Sequence, residues 1–372
     1  MRRRDLLAGG LACAALAALP RARAEAARPL MLGARIEAGG RFFASAFDGE
    51  GEGRLDLALP ARGHGFAQRP GGAEVVACAR RPGRYLAVID LAAGGIRHMV
   101  ANAEGRRFNG HGAFSTDGRL FFASESDYAG ERGVIGVYAA DRGYAPVAVW
   151  DSGGLDPHDV RLLPDGRTLV VANGGIVTDL DAPRMKLNTG AMDSTLAYLD
   201  TADGRLVAVH RPAAELGALG IRHLAVAADG MVAVAAQYEG PAVDLVPLVG
   251  THRPGDREIR FFAAPQPTLR AMRQYCGSAA MDAAGRVLGV SSPRGNIATF
   301  WDIADGRVLS SVAVADGCGI AGAGPDGGFV VASGLGGAVG FDPATGAGRP
   351  LAGSVAAAGR WDNHLIALQG GT

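Results

Sequence analysis

Neither sign of charge is in excess: 37 Lys and Arg face 37 Asp and Glu. That balance leaves no field to hold nucleic acid or an anionic lipid surface. Beyond the N-terminus no apolar run approaches the ~20 residues that a membrane-crossing helix needs. Thiols are scarce. Only Cys78, Cys276 and Cys318 follow the first two dozen residues, and an odd number cannot pair completely in an oxidising compartment. No C-x-x-C or H-x-x-x-H spacing occurs, and there is no G-x-S-x-G nucleophile turn. A phosphate-binding loop and a dinucleotide fingerprint are also lacking, because the glycine-rich pieces open strands rather than helices. These absences remove the commonest hydrolase, nucleotide and redox-dithiol classes.

The first residues read as an address. Arg2, Arg3 and Arg4 precede an apolar run from Leu6 to Leu19, and Ala22-Arg23-Ala24 offers a cleavage site. That pattern predicts a signal peptide over 1–24, with paired arginines of the twin-arginine type, and hence a periplasmic mature protein. Twin-arginine export carries folded proteins, which suits a chain loaded with a cofactor before export. The remaining residues, 25–372, suffice for one large repeat domain.

A repeat organises that domain. Gly110-His111-Gly112 leads through Asp117-Gly118 to Leu120-Phe121-Phe122, and Pro157-His158 leads through Asp165-Gly166 to Leu169-Val170-Val171. Arg222-His223, Tyr275-Cys276, Gly317-Cys318 and Gly63-His64 open matching units. A third strand often ends in Asp, as at Asp90 and Asp200. Four short strands per unit, separated by turn signals, are the sequence form of a propeller blade. Anchor residues are spaced by 47, 47, 65, 53, 42 and 46 positions, ending at His364. Most of these intervals are blade-sized, and the longest carries an insertion at about 176–193. Trp361 to Leu368 supplies one strand, and the segments from Pro29 to Leu59 supply three. Pairing of the two ends would close an all-β, seven-bladed ring without free edges.

Inner strands line the channel of a propeller, so equivalent positions converge. His64, His111, His158, His223, Cys276, Cys318 and His364 occupy that position, whereas His98, His210 and His252 fall elsewhere and read as surface residues. Imidazole and thiolate are ligands for zinc, copper and iron. One reading is therefore a metal or haem site held by a subset of the ring, since seven side chains cannot all reach one ion. The other is structural, with histidines bonding blade to blade. Asp159 and Asp362, beside His158 and His364, are candidates to orient imidazoles from behind. Cys78 lies in an apolar strand pattern and reads as core. The insertion carries Arg184 and Lys186 and reads either as a lid facing an anionic group or as a solvated loop. Arg222 and Arg294 offer planar forks for an anion or braces for a buried aspartate.

Taken together, Gly110-His111-Gly112, Pro157-His158, Asn173-Gly174-Gly175-Ile176, Lys186-Leu187-Asn188, Ile221-Arg222-His223-Leu224-Ala225, Ser292-Pro293-Arg294-Gly295 and Asp362-Asn363-His364-Leu365 resemble a bacterial family of exported β-propellers of unknown function. The resemblance spans nearly the whole mature chain, although the family's proline in the 178–180 stretch is lacking. It implies the propeller fold and a periplasmic setting beside imelysin-type iron-uptake proteins. The expectation is then a binding or accessory protein for iron or copper acquisition. A metal-dependent hydrolase or redox enzyme using the same site, and a docking propeller without ligand, are the alternatives.

Overall fold

The structure is a computed structural model and describes residues 29–179, 182, 185–324 and 328–370. The N-terminal address, its Ala24 junction, Arg184 and the Asp326-Gly327 pair that marks the expected turn after Cys318 lie outside these residues.

Seven four-stranded antiparallel sheets stand around one axis. In the His64 blade the strands run Gly63–Gln68, Glu74–Ala79, Tyr85–Asp90 and Gly95–Ala101, from the axis outward. The inner strands of the next five blades are Arg106–Phe114, Pro157–Leu162, Leu219–Val226, Ser278–Met281 and Gly317–Gly322. The last blade closes the ring as expected. Arg360–Ala367 from the C-terminus pairs with Met31–Ile36, which pairs with Phe42–Phe47 and then Gly53–Leu59. Third strands end in Asp90, Asp200, Asp302 and Asp342, whose carboxylates accept backbone N–H bonds two residues on and pin the next hairpin.

Stability lies between blades. Each sheet buries both faces against its neighbours, so the core is split into interblade layers. One layer joins Phe122, Ile135 and Val137 of the His111 blade to Val160, Leu169, Val171 and Leu199 of the His158 blade. Outer strands alternate toward solvent, as in Gly53–Leu59. No helix among the described residues is long and apolar enough to cross a membrane.

One irregularity recurs at the axis. The inner-strand register slips between Gly63 and Phe66, between Phe108 and Gly112, between Pro157 and Asp159, between Ile221 and His223, and between Gly317 and Gly319. The closing blade slips between Gly33 and Arg35. A bulge inserts an extra residue and re-aims its side chain, so it frees an anchor from the strict in-out alternation that would send it into an interblade layer. The inner strand of the Cys276 blade pairs without a slip, and Cys276 lies ahead of that strand rather than in it.

Two glycines let the histidine-bearing backbones meet. A Cβ on Gly110, where φ is +103°, would stand 2.5 Å from His64 Cδ2, and one on Gly65 would stand 2.5 Å from Gly110 O. Gly110→Ala should therefore cost about 2–5 kcal/mol from backbone strain and overpacking. Gly230→Ala shares the positive φ but meets nothing within 4 Å, so it should cost about 1 kcal/mol. Urea unfolding midpoints of the two variants check this; equal losses would show that the close approach to His64 carries no energy.

Candidate metal centre

Five of the seven anchors converge. Ring centroids of His64 lie 5.1 Å from His111, 5.9 Å from His158 and 4.5 Å from His364. His223 joins at 4.9 Å from His158 and 5.0 Å from His364. His64, His111, His158 and His364 each present one nitrogen within 4.8 Å of the others.

The two cysteines do not join them. Cys276 packs among Leu248, Met272, Leu288 and Val290 in an interblade layer. Cys318 packs beside Trp361, with its Sγ 3.3 Å from the Asp362 carbonyl. Burial pushes the Cys276 thiol up to about 12 and raises Cys318 too, aided there by the Asp362 charge. Neither is available as thiolate, and the expected His/Cys ring is a histidine cluster. The reason is local. A thiol is small and apolar enough to fill a core site, whereas an imidazole turned the same way would bury two polar nitrogens. Cys78 is core as expected. His252, read as a surface residue, is buried, and its Nδ1 meets the Tyr198 hydroxyl at 2.7 Å.

The outer nitrogens of three imidazoles are held from behind. His64 Nδ1 bonds to Asp362 Oδ1 at 2.7 Å, His364 Nδ1 to Ser278 Oγ at 3.1 Å, and His111 Nδ1 faces Asp159 Oδ1 at 3.4 Å. Asp159 and Asp362 thus reach the imidazoles of other blades rather than those of His158 and His364. The interblade bracing predicted as the structural role is present, but it uses only one face of each ring. The facing nitrogens are bare: His111 Nε2, His364 Nε2, His158 Nδ1 and both nitrogens of His223 are buried without a hydrogen-bond partner. Each such group costs about 1–3 kcal/mol unless something fills it.

Electrostatics keep those lone pairs free. Burial lowers all five histidines from their ordinary value, and the charges of neighbouring imidazoles and of Arg161 and Arg222 lower several further. Burial alone would raise Asp362, but the His64 hydrogen bond and the Arg80 and Arg62 charges hold it well below the usual carboxylate range. Asp159 is raised by burial against the opposing pull of Arg161.

His64, His158 and His223 open onto a cavity of about 600 Å³ at one mouth of the channel. Lys186 and Thr178 of the insertion line it, and the two residues form an isolated antiparallel bridge with each other. Lys186 Nζ also pairs with Glu239. Arg222 lines the mouth and bonds to Asp156, while Arg294 stacks on Tyr275 at 4.1 Å. Arg222 thus takes the bracing role expected of it, whereas Arg294 braces no aspartate among the described residues. Sequence reasoning missed Asp156, Arg62 and the Arg80-Arg81-Arg84 corner, which line or brace the same mouth. A signal was present. The position two before each anchor is Arg62, Asn109, Asp156, Gln274, Asp316 or Asp362 in six of seven units, and Ile221 in the other.

The donor set fits a transition-metal ion. Neutral imidazole suits zinc, copper, nickel and iron. A tetrahedral ion with bonds of about 2.0–2.1 Å needs nitrogens about 3.3 Å apart, which the four reach by modest ring rotations from a separation within 4.8 Å. At His64, His111 and His364 the outer carboxylate and hydroxyl partners sit at Nδ1 and leave Nε2 as the donor, whereas His158 has no such partner and its bare nitrogen is Nδ1. A porphyrin does not fit, because rings spaced at 4.5–6.2 Å leave no slot for one between them.

No curated protein matches the chain. Among solved structures, Kuenenia stuttgartiensis hydrazine synthase superposes with a TM-score of 0.59 at 15% identity, covering 85% of this chain and 96% of that one. At that identity the likeness is one of fold alone. The model of the family described as "Protein of unknown function (DUF1513)" matches residues 57–368, and the chain belongs to that family.

Proposed function

We propose that this protein is a periplasmic metal-binding accessory protein that holds a transition-metal ion on the channel imidazoles. The observation that carries the reading is the set of buried nitrogens without a partner on His111, His158, His223 and His364, two of which, on His111 and His364, belong to rings whose other nitrogen already faces Asp159 or Ser278. Burial keeps these groups neutral, which is the form that binds metal. Binding is favoured over catalysis because no carboxylate lines the cavity, and Asp159 and Asp362 are committed to arginines and imidazoles. A carboxylate base for metal-activated water is therefore lacking among the described residues that line the cavity.

The N-terminal arginines and apolar run support export, and the family resemblance supports a role in iron or copper acquisition beside imelysin-type proteins. The metal is then cargo rather than a resident cofactor. Metal content of the exported protein, followed by competition with a chromophoric chelator, tests the reading. One ion per chain is expected, with affinity falling on the order of 100-fold or more in His111→Ala, since losing a ligand should exceed the 10–100-fold cost of losing an outer partner. Wild-type protein that takes up no zinc, copper or iron would overturn it.

A further inference from the structure

The mouth above the imidazoles has a charge that a metal site alone does not explain. Its lining includes seven cationic side chains and no carboxylate. Behind the wall, Asp156 is shared by Arg81 and Arg222, and Asp362 by Arg62 and Arg80. Each carboxylate thus serves two guanidiniums and leaves part of each fork unused. Arg84 and Arg294 have no carboxylate partner among the described residues, and both are exposed to the mouth. Arg222 is 3% exposed, and its Nε is buried with no partner at all. A buried guanidinium nitrogen left bare beside open space is a group prepared for an acceptor. Lys186, the chain's single lysine, completes the rim from the insertion.

Such a mouth opposes a bare cation. Positive charge lining a low-dielectric cleft repels an approaching divalent ion and concentrates anions. A metal reaching His64, His158 and His223 from this side would enter most easily as part of an anionic complex. We propose that the channel mouth is a binding site for a small polycarboxylate, which accompanies or caps the metal on the imidazoles. The planar forks of Arg81, Arg222 and Arg294 match carboxylate oxygens in pairs, and a carboxylate can bridge a guanidinium and a metal at once. The capping role rests on the metal reading above; the anion site itself rests on the cations alone.

Calorimetric titration of the metal-free protein with citrate, at low and high salt, tests the anion site. Citrate should bind, weaken with salt, and weaken at least tenfold in the double variant Arg84→Gln, Arg294→Gln, whose exposed side chains are not needed for folding. Acetylation of Lys186 should slow when citrate is present. The His111→Ala variant should keep its citrate affinity while losing metal, so that failure of the metal reading and failure of this one are told apart. If citrate does not bind the metal-free wild type, or binds the double variant equally well, the proposal is wrong. Sulfate binding as tightly as citrate would also overturn it, since that result marks a general anion patch rather than carboxylate recognition.

Discussion

Replacing Asp362 with asparagine is expected to destabilise the protein by about 3 kcal/mol and to weaken metal binding 10–100-fold. Asp362 is 4% exposed and takes bonds from His64 Nδ1 at 2.7 Å, from Arg80 Nη1 at 2.9 Å, and from Arg62. Asparagine preserves the shape but removes the charge and one acceptor, and its NH₂ group then faces a guanidinium. Breaking one side of a buried ion pair costs about 3–5 kcal/mol, because the partner is left uncompensated. The lower end applies here, since Arg62 and Arg80 are 41% and 35% exposed and regain some hydration. The metal effect has a separate origin. Asp362 fixes which nitrogen of His64 carries the proton and so directs the other inward. Urea unfolding and chelator competition measure the two effects independently. An unchanged metal affinity in a destabilised Asp362→Asn variant would mean that His64 is a structural brace and no ligand.

The fold was readable because its signals are local and repeated. His111, His158 and His223 each precede an Asp-Gly turn, and the turn is dictated by glycine at positive φ, as at Gly118, Gly166 and Gly230. Ring closure was readable too, because Trp361 to Leu368 reads as a lone strand and the segments from Pro29 to Leu59 read as three. What escaped was direction. An inner-strand residue can face the axis or an interblade layer, and neither sequence spacing nor the presence of a bulge settles which. Cys318 sits at such a slip yet turns into the core, while His223 at its own slip turns to the axis. Partner choice also escaped. Proximity in sequence linked Asp159 to His158 and Asp362 to His364, but propeller geometry brings them to His111 and His64. The arginine-lined mouth draws on residues from 62 to 294, joined only when the ring is closed.

The metal-free protein should lose stability steeply as pH falls below about 6.5, and bound metal should move that loss to lower pH. Unfolded histidine titrates near 6.5. The five channel imidazoles and His252 all have folded values below that, with burial the largest cause. Above 6.5 both states are neutral and the stability is fully present. Between 6.5 and the depressed folded values only the unfolded chain takes up protons, so stability declines with acid, by up to about 1.4 kcal/mol per pH unit for each imidazole that stays neutral. Asp159, Glu125 and Asp316 are raised by burial and pull the other way, gaining stability as they protonate. They are outnumbered by the lowered imidazoles, so the net change is a loss. Asp362 is held low, and its contribution disappears only below about pH 4, the unfolded carboxylate range. The interval from 6.5 to 4 therefore reports the cluster. Metal competes with protons for the same nitrogens and protects them. Urea unfolding at pH 7.5, 6.5, 5.5 and 4.5, with and without zinc, measures the slope. His223→Gln, which removes the ring whose nitrogens are both bare, should reduce that slope by one proton's worth. A stability that stays level from pH 7.5 to 5, or one that zinc leaves unchanged, would mean that the imidazoles already share protons or water among themselves and hold no place for an ion.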